Sequence, residues 1–184
     1  MTIRVVIADD EPLVRQGLCL VLEHEGAATV VAEAGDGQEA VALPRQHRPD
    51  VVLLDIRMPG LDGIEAARRI VADPPLTGVR ILMLTTFADD ALVVGALRAG
   101  AQGYLLKSMP PDQIRSGVRA AADGQTSMAP AIIERLVQEY THRRVGPTPS
   151  LQSLTERETD VLREIATGRS NQEIAARLFV SEGT

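Results

Sequence analysis

The succession of short apolar runs constrains the fold of this chain more than any other sequence feature. Five such runs occur, and each is followed by a stretch whose apolar residues have helical spacing. The runs are mostly apolar and show no regular alternation of apolar and polar residues, which is typical of strands buried on both faces of a parallel sheet. We therefore predict an α/β fold, a doubly wound five-stranded parallel sheet with right-handed connections. The predicted strands cover 3–8, 29–34, 51–54, 79–84 and 102–106, and the predicted helices cover 11–23, 36–46, 62–71, 88–98 and 111–122.

The pattern changes after residue 122, which indicates further folding units. Residues 123–153 are rich in Gly, Pro and polar residues apart from one amphipathic stretch at 131–140, and we interpret them as a linker with one helix. Residues 154–184 contain two capping boxes, which predict two helices. The predicted domains are thus 1–122, the linker 123–153, and a small all-α segment at 154–184.

Charge and cysteine content exclude several classes of protein. The net charge of −6 argues against a protein that coats nucleic acid by bulk electrostatics. The single cysteine cannot form an internal disulfide, and no apolar run reaches the roughly 18 residues that a membrane span needs. A cytoplasmic location without membrane contact is therefore predicted. Of the 19 Lys and Arg residues only Lys107 is a lysine, so a compact ammonium group is expected to have a specific task there.

Acidic and polar residues follow the predicted strands where those strands end. Asp9 and Asp10 follow the first strand, Asp55 the third, Thr85 the fourth and Lys107 the fifth. Because ligands bind outside the carboxyl ends of strands in open parallel sheets, these side chains are expected to converge. Three neighbouring carboxylates need a cation to neutralise them, and oxygen ligands favour Mg²⁺. An Asp beside such a metal can act as a nucleophile toward phosphorus, while an ammonium and a hydroxyl bind the phosphoryl oxygens.

Each of these residues also has an ordinary structural explanation when it is considered singly. Aspartates often cap helices or form turns, and Lys107 on its own could be a solvated surface charge. The joint position of the residues at successive strand ends favours a shared site.

Three segments resemble a known family. VVIADDEPLVRQGL, VVLLDIRMPGLDGIEA, and ILMLTTF followed by ALRAGAQGYLLK are similar to the signature regions of response-regulator receiver domains, over residues 3 to about 122. The resemblance implies a flavodoxin-like fold and a phosphoprotein of a two-component system, which a sensor histidine kinase phosphorylates and which catalyses only its own phosphorylation and dephosphorylation. It implies these roles: phospho-acceptor for Asp55, direct Mg²⁺ ligand for Asp10, Mg²⁺ ligand through water for Asp9, Mg²⁺ ligand through its backbone carbonyl for Arg57, phosphoryl contacts for Thr85 and Lys107, and a switch for Thr85 and Tyr104.

Two positions distinguish this chain within the resemblance: Tyr104 and the residues after Lys107. Tyr104 matches an aromatic switch position whose ring turns inward as Thr85 moves toward the phosphate, although simple packing would also explain an aromatic residue there. Many receivers have Pro directly after the lysine, whereas here two residues separate Lys107 from Pro110. The geometry after Lys107 is therefore expected to be looser than in those receivers.

The C-terminal segment carries a second resemblance. LTERETDVLREIATGRSNQEIAARLFVSEGT is similar to the LuxR-type helix-turn-helix of the NarL/FixJ family, in which a third helix enters the major groove of DNA. Nearly all of that helix is expected beyond Thr184, and residues 151–184 carry four Arg against six acidic residues. We therefore expect a transcription regulator whose full-length parent binds DNA, whereas this truncated chain lacks specific DNA binding. Phosphorylation is expected either to free the output domain or to promote a homodimer.

Other functions are less well supported by the sequence. Gly35, Gly37 and Ala40 form a GxGxxA pattern typical of dinucleotide-binding oxidoreductases, but acidic neighbours would repel a pyrophosphate. An Asp-nucleophile phosphatase would need a DxD pattern that is absent at Asp55. A receiver that only dimerises is the stronger alternative.

Overall fold

The computed structural model describes residues 2–86, 89–134 and 137. These residues belong to the first of two units into which the chain divides, Met1–Tyr140. The predicted helices of the segment 154–184 lie outside the described residues. The boundaries at residues 122 and 153 therefore stay predictions.

A fully parallel sheet forms the centre of the described structure. Its strands are β1 (Ile3–Ala8), β2 (Ala28–Ala34), β3 (Val51–Asp55), β4 (Arg80–Thr85), β5 (Gly103–Leu106) and β6 (Ser127–Met128). Their spatial order is β2-β1-β3-β4-β5-β6. The first five follow the flavodoxin-like order, so the predicted α/β doubly wound class is confirmed. The predicted number of five strands is corrected to six, because a two-residue strand extends the sheet beyond β5.

Five α-helices connect the strands. They are α1 (Pro12–Glu23), α2 (Gly37–His47), α3 (Gly63–Val71), α4 (Asp90–Arg98) and α5 (Pro111–Ala122). Two 3₁₀ turns, His24–Gly26 and Pro74–Leu76, lie between helix and strand. Among the described helices, none combines the length and the apolar character that crossing a lipid bilayer requires.

The sheet separates two apolar cores, because successive strand residues point to opposite faces. In β1, Val5 and Ile7 pack with α1 and α5, whereas Val6 and Ala8 pack with α2, α3 and α4. Both faces of β1 are buried from Val5 onward, which explains why Val5–Ala8 are all apolar. Because all strands are parallel, their polar carboxyl ends lie at one edge of the sheet, between the two helical layers.

Aspartates begin three of the helices. The side chains of Asp36, Asp62 and Asp89 accept hydrogen bonds from backbone N–H groups in the first turns of α2, α3 and α4, respectively. These caps satisfy donors that the helix itself leaves without a partner. These three aspartates are therefore helix caps.

Residues 127–132 pack on the sheet, within the stretch that the sequence predicts as a linker. Ser127 and Met128 pair with β5, and the amide of Ala129 donates to the carbonyl of Tyr104 over 2.9 Å. Gly103 permits this approach, since a Cβ there would lie 2.4 Å from the Ser127 carbonyl oxygen. A helix then begins at Pro130, and the side chain of Ile132 is completely buried in the core of α2, α3 and α4.

We expect Ile132→Ala to lower the free energy of unfolding by about 2–5 kcal/mol, because truncation of a fully buried isoleucine leaves a cavity. Ile133→Ala is the matched control. Its side chain is 49% exposed in the same helix, so its effect should be within about 0.5 kcal/mol. Urea denaturation of the full chain measures both values. Equal effects of the two substitutions would show that residues 127–132 do not dock on the sheet in solution.

Candidate metal centre and functional site

Three carboxylates meet at the carboxyl ends of β1 and β3. Asp9 and Asp10 directly follow β1, and Asp55 is the last residue of β3. One carboxylate oxygen of each residue lies within 4.8 Å of the others. Asp9 and Asp55 are buried, at 1% and 5% exposure, whereas Asp10 is exposed to solvent. The predicted convergence of these aspartates is therefore present in the fold.

Lys107 joins the two buried carboxylates. Its Nζ lies 2.6 Å from Asp9 Oδ2 and 3.1 Å from Asp55 Oδ2, and its side chain is only 10% exposed. The same ammonium lies 3.5 Å from Glu11 Oε1, a contact that the sequence analysis missed. Lys107 is thus not a solvated surface charge, and the ordinary explanation of this residue is wrong.

Backbone hydrogen bonds hold the site residues at the strand ends. The Lys107 amide donates to the Thr85 carbonyl over 2.8 Å, which ties the end of β5 to the end of β4. Asp55 Oδ1 accepts from the amide of Ile56 at 2.8 Å, and Asp9 Oδ1 accepts from the amide of Glu11 at 3.0 Å. Each buried carboxylate therefore has one oxygen held by the backbone and the other by Lys107.

Burial and charge shift the pKa values of the two central groups. Burial raises the pKa of the Asp55 carboxyl; Lys107 partly offsets the rise, and the nearby charge of Asp9 adds to it. Burial lowers the pKa of Lys107, but hydrogen bonds to Asp9 and Asp55 and the charges of both carboxylates outweigh it, so the pKa is raised overall. Lys107 is consequently a permanent cation at neutral pH. The ionised form of Asp55 is destabilised by burial and by the nearby negative charge of Asp9.

Gly63 sets the distance between α3 and Asp55. Its amide donates to the carbonyl of Ile56 over 2.9 Å, and a Cβ at this position would lie 1.9 Å from the Asp55 carbonyl oxygen. Only glycine allows the first turn of α3 to approach the end of β3 so closely. Gly63, which directly follows the Asp62 cap, therefore helps to position Asp55.

The donor set of this edge fits a divalent cation such as Mg²⁺. Three carboxylates with oxygen atoms in close reach are hard ligands, and the ammonium of Lys107 neutralises only part of their charge. Beside Asp10 opens a cavity of about 530 Å³, whose lining includes Arg57, Met58 and Leu92. An ion and a small phosphorylated group could reach the carboxylates from this side.

The two predicted switch residues lie in the core near this edge. Thr85 is the last residue of β4 and is 4% exposed. Tyr104 in β5 has a completely buried ring, and its hydroxyl has no hydrogen-bond partner among the described residues. Burial, together with the charges of Asp89 and Asp55, raises the pKa of Tyr104 to about 12. The tyrosine is therefore neutral and packs as a core residue in this structure.

The glycine pattern at 35–40 has a structural role instead. A Cβ at Gly37 would lie 2.0 Å from the Leu61 carbonyl oxygen, so the start of α2 packs directly on a neighbouring loop. The amide of Gly35 already donates to Glu39 Oε2 over 2.8 Å. Because a carboxylate occupies the position where a pyrophosphate would bind, this loop does not fit a dinucleotide.

Comparisons with known proteins assign two regions of the chain to known families. The sequence-family model for the response regulator receiver domain matches residues 5–119. The family model for bacterial regulatory proteins of the luxR family matches residues 152–184. The chain is 42% identical over 185 residues to the uncharacterized transcriptional regulatory protein YxjL of Bacillus subtilis, covering 99% of this chain and 84% of that protein. It is 39% identical to the probable transcriptional regulatory protein NarL of Mycobacterium tuberculosis, with 99% and 82% covered.

A solved structure supports the same assignment. The crystal structure of a two-component response regulator of the LuxR family from Aurantimonas sp. SI85-9A1 superposes with a TM-score of 0.72 at 36% identity, covering 77% of this chain and 99% of that one. With the acidic edge described above, these findings establish that the chain belongs to the two-component response regulators, with a receiver domain and a LuxR-type DNA-binding region.

Proposed function

We propose that this response regulator accepts a phosphoryl group on Asp55 from the phosphohistidine of a sensor histidine kinase. The observation that carries the proposal is the position of Asp55: it is buried at a strand end, 3.1 Å from Lys107 Nζ and among two further aspartates. In the reaction an Asp55 carboxylate oxygen forms a bond to phosphorus while the phosphorus–nitrogen bond of phosphohistidine breaks. The product is an acyl phosphate on Asp55.

Asp10 and Asp55 would hold Mg²⁺ directly, together with the backbone carbonyl of Arg57, and Asp9 would act through water. The donor chemistry described above supports these roles. When bound, Mg²⁺ neutralises the carboxylates and the phosphoryl oxygens. Charge neutralisation of this kind is what lets an anionic carboxylate approach an anionic phosphoryl donor.

Lys107 would stabilise the phosphoryl group as a cation already present in the site. Its ammonium lies between Asp9 and Asp55, so it needs little movement to contact an oxygen of the modified Asp55. The Thr85 hydroxyl would donate a hydrogen bond to the same group, and the movement of Thr85 would shift the population of Tyr104 conformations. Because β6 and Ala129 are hydrogen-bonded to β5 at Tyr104, such a shift would reach the segment that leads to the DNA-binding region.

The proposed partners are the sensor kinase, DNA and, after phosphorylation, a second copy of the chain. The first two rest on the receiver and LuxR-type assignments. Homodimer formation and the predicted lack of specific DNA binding stay predictions, and residues 152–184 lie outside the described residues.

Metal removal provides the test of this function. The chain is incubated with acetyl phosphate in Mg²⁺ and, in parallel, in EDTA, and its intact mass is measured. We expect addition of one phosphoryl group with Mg²⁺ and at least a tenfold lower yield in EDTA, since metal stabilisation of the transferring group contributes several kcal/mol. Undiminished labelling in EDTA, or peptide mapping to a residue other than Asp55, would contradict the proposal.

A further inference from the structure

We propose that Arg15 is a positioning residue for the metal centre, which fixes the peptide group between Asp9 and Asp10 and thereby directs the Asp10 carboxylate. Arg15 Nη1 donates to the Asp9 carbonyl oxygen over 2.6 Å. The inference rests on the proposed function, because it assigns to Arg15 a role in Mg²⁺ binding by the acidic edge.

The Asp9 carbonyl lies where the sheet can no longer supply a partner. β1 ends at Ala8, and the last backbone bond of this strand end is from the Asp9 amide to the Ala34 carbonyl, at 3.1 Å. The following carbonyl has left the strand ladder and would otherwise need water or another donor. Arg15 comes from the second turn of α1, is 18% exposed in its side chain, and supplies that donor.

Asp10 depends on this peptide group more than Asp9 does. The Asp9 carboxylate is held by Lys107 and by the Glu11 amide. The Asp10 carboxylate is exposed and accepts no hydrogen bond from any residue in 2–86, 89–134 or 137. The backbone before Asp10 therefore sets the direction of its Cα–Cβ bond, and Arg15 holds one end of that backbone.

The charge of Arg15 cannot explain a favourable effect on cation binding. A guanidinium that contacts the Asp9 backbone repels a cation entering the acidic edge, and Glu33 Oε2 at 3.4 Å from Arg15 Nε offsets part of that repulsion. Removal of the charge alone would strengthen Mg²⁺ binding, whereas loss of the positioning hydrogen bond would weaken it. The two effects have opposite signs, so measurement separates them.

The experiment is a Mg²⁺ titration of the full chain followed by amide resonances in ¹H–¹⁵N NMR spectra. We expect Arg15→Met and Arg15→Lys to weaken Mg²⁺ binding about tenfold, since outer-shell partners of metal ligands typically contribute 10–100-fold to affinity. Lysine retains the charge but lacks the planar fork that spans Asp9 and Glu33, so it should not rescue the affinity. Phosphorylation by acetyl phosphate should recover in both variants at saturating Mg²⁺.

Arg45→Met is the matched control, because Arg45 pairs with Asp73 at 2.6 Å, away from the acidic edge, and should leave the Mg²⁺ affinity unchanged. Urea denaturation shows whether each variant is folded. Wild-type affinity or tighter binding in both Arg15 variants would overturn the inference. Failure of the proposed function looks different: the wild-type chain itself would show no saturable shifts, or Asp10→Asn would bind Mg²⁺ as the wild type does.

Discussion

Asp55→Asn is expected to abolish phosphoryl incorporation from acetyl phosphate completely. The amide has nearly the same shape as the carboxylate but lacks the anionic oxygen that attacks phosphorus, so the nucleophile is lost while the packing is retained. Intact-mass spectrometry of the wild type and the variant in Mg²⁺ measures the result. Asp73→Asn is a suitable control, because Asp73 is a buried aspartate, 8% exposed, paired with Arg45 and not with Lys107.

The control should be labelled like the wild type. Labelling of Asp55→Asn at the wild-type level would move the acceptor to another residue and would remove the basis of the proposed function. A trace of labelling on a neighbouring carboxylate can be distinguished by peptide mapping.

The same substitution should also stabilise the protein at neutral pH when no divalent cation is present. Because the pKa of Asp55 is raised in the folded state, chiefly by burial, the folded protein binds that proton more tightly than the unfolded chain does. The contribution of Asp55 to stability therefore falls as the pH rises above the unfolded value of about 3.9. We expect a higher urea midpoint for Asp55→Asn at pH 7 in EDTA, and a difference that shrinks as the pH approaches 4.

Lys107→Met is expected to lower the free energy of unfolding by about 3–5 kcal/mol in EDTA. Methionine keeps most of the length of the side chain, but it leaves the buried carboxylates of Asp9 and Asp55 without their shared cation. Removal of one partner from a buried ion pair typically has a cost of this size. Urea denaturation at pH 7 measures the change, and phosphorylation should also be strongly reduced because the phosphoryl group loses a charge partner.

Two further variants test whether charge is the cause. Asp9→Asn combined with Lys107→Met should be less destabilised than Lys107→Met alone, because one of the two unpaired charges is gone. Arg119→Met removes a cation from the exposed side of α5 and should change stability by no more than about 0.5 kcal/mol. If Lys107→Met were as mild as Arg119→Met, the ion pairs at 2.6 and 3.1 Å would not exist in solution.

Much of the fold follows from local patterns. The predicted strand 3–8 is identical to β1, and the predicted strand 51–54 differs from β3 only by Asp55. The predicted helices 62–71 and 111–122 begin within one residue of α3 and at the start of α5, respectively. Hydrophobic periodicity and turn residues can be recognised within a window of about ten residues. The sequence alone is therefore sufficient to predict these elements.

The candidate site was predictable to the level of residue position. Asp9, Asp10, Asp55, Thr85 and Lys107 stand at strand ends in the sequence, and parallel topology brings such ends together. The sequence could not show that Lys107 lies between Asp9 and Asp55, nor that Arg15 donates to the Asp9 carbonyl. These contacts depend on how far a long side chain extends across the edge, which no spacing rule describes.

The sixth strand shows most clearly what could not be predicted from the sequence. A segment of two residues, Ser127 and Met128, is too short to show an alternation of apolar and polar residues. The surrounding Gly, Pro and polar residues are typical of a linker. Their pairing with β5 and the burial of Ile132 depend on an open sheet edge and on the gap that Gly103 leaves beside it. The sequence by itself therefore determined the order of strands and helices and the residues that end them, because hydrophobic period is a local property. Tertiary structure alone decided which charges pair and which segment completes the sheet, because those outcomes depend on distances between segments that lie far apart along the chain.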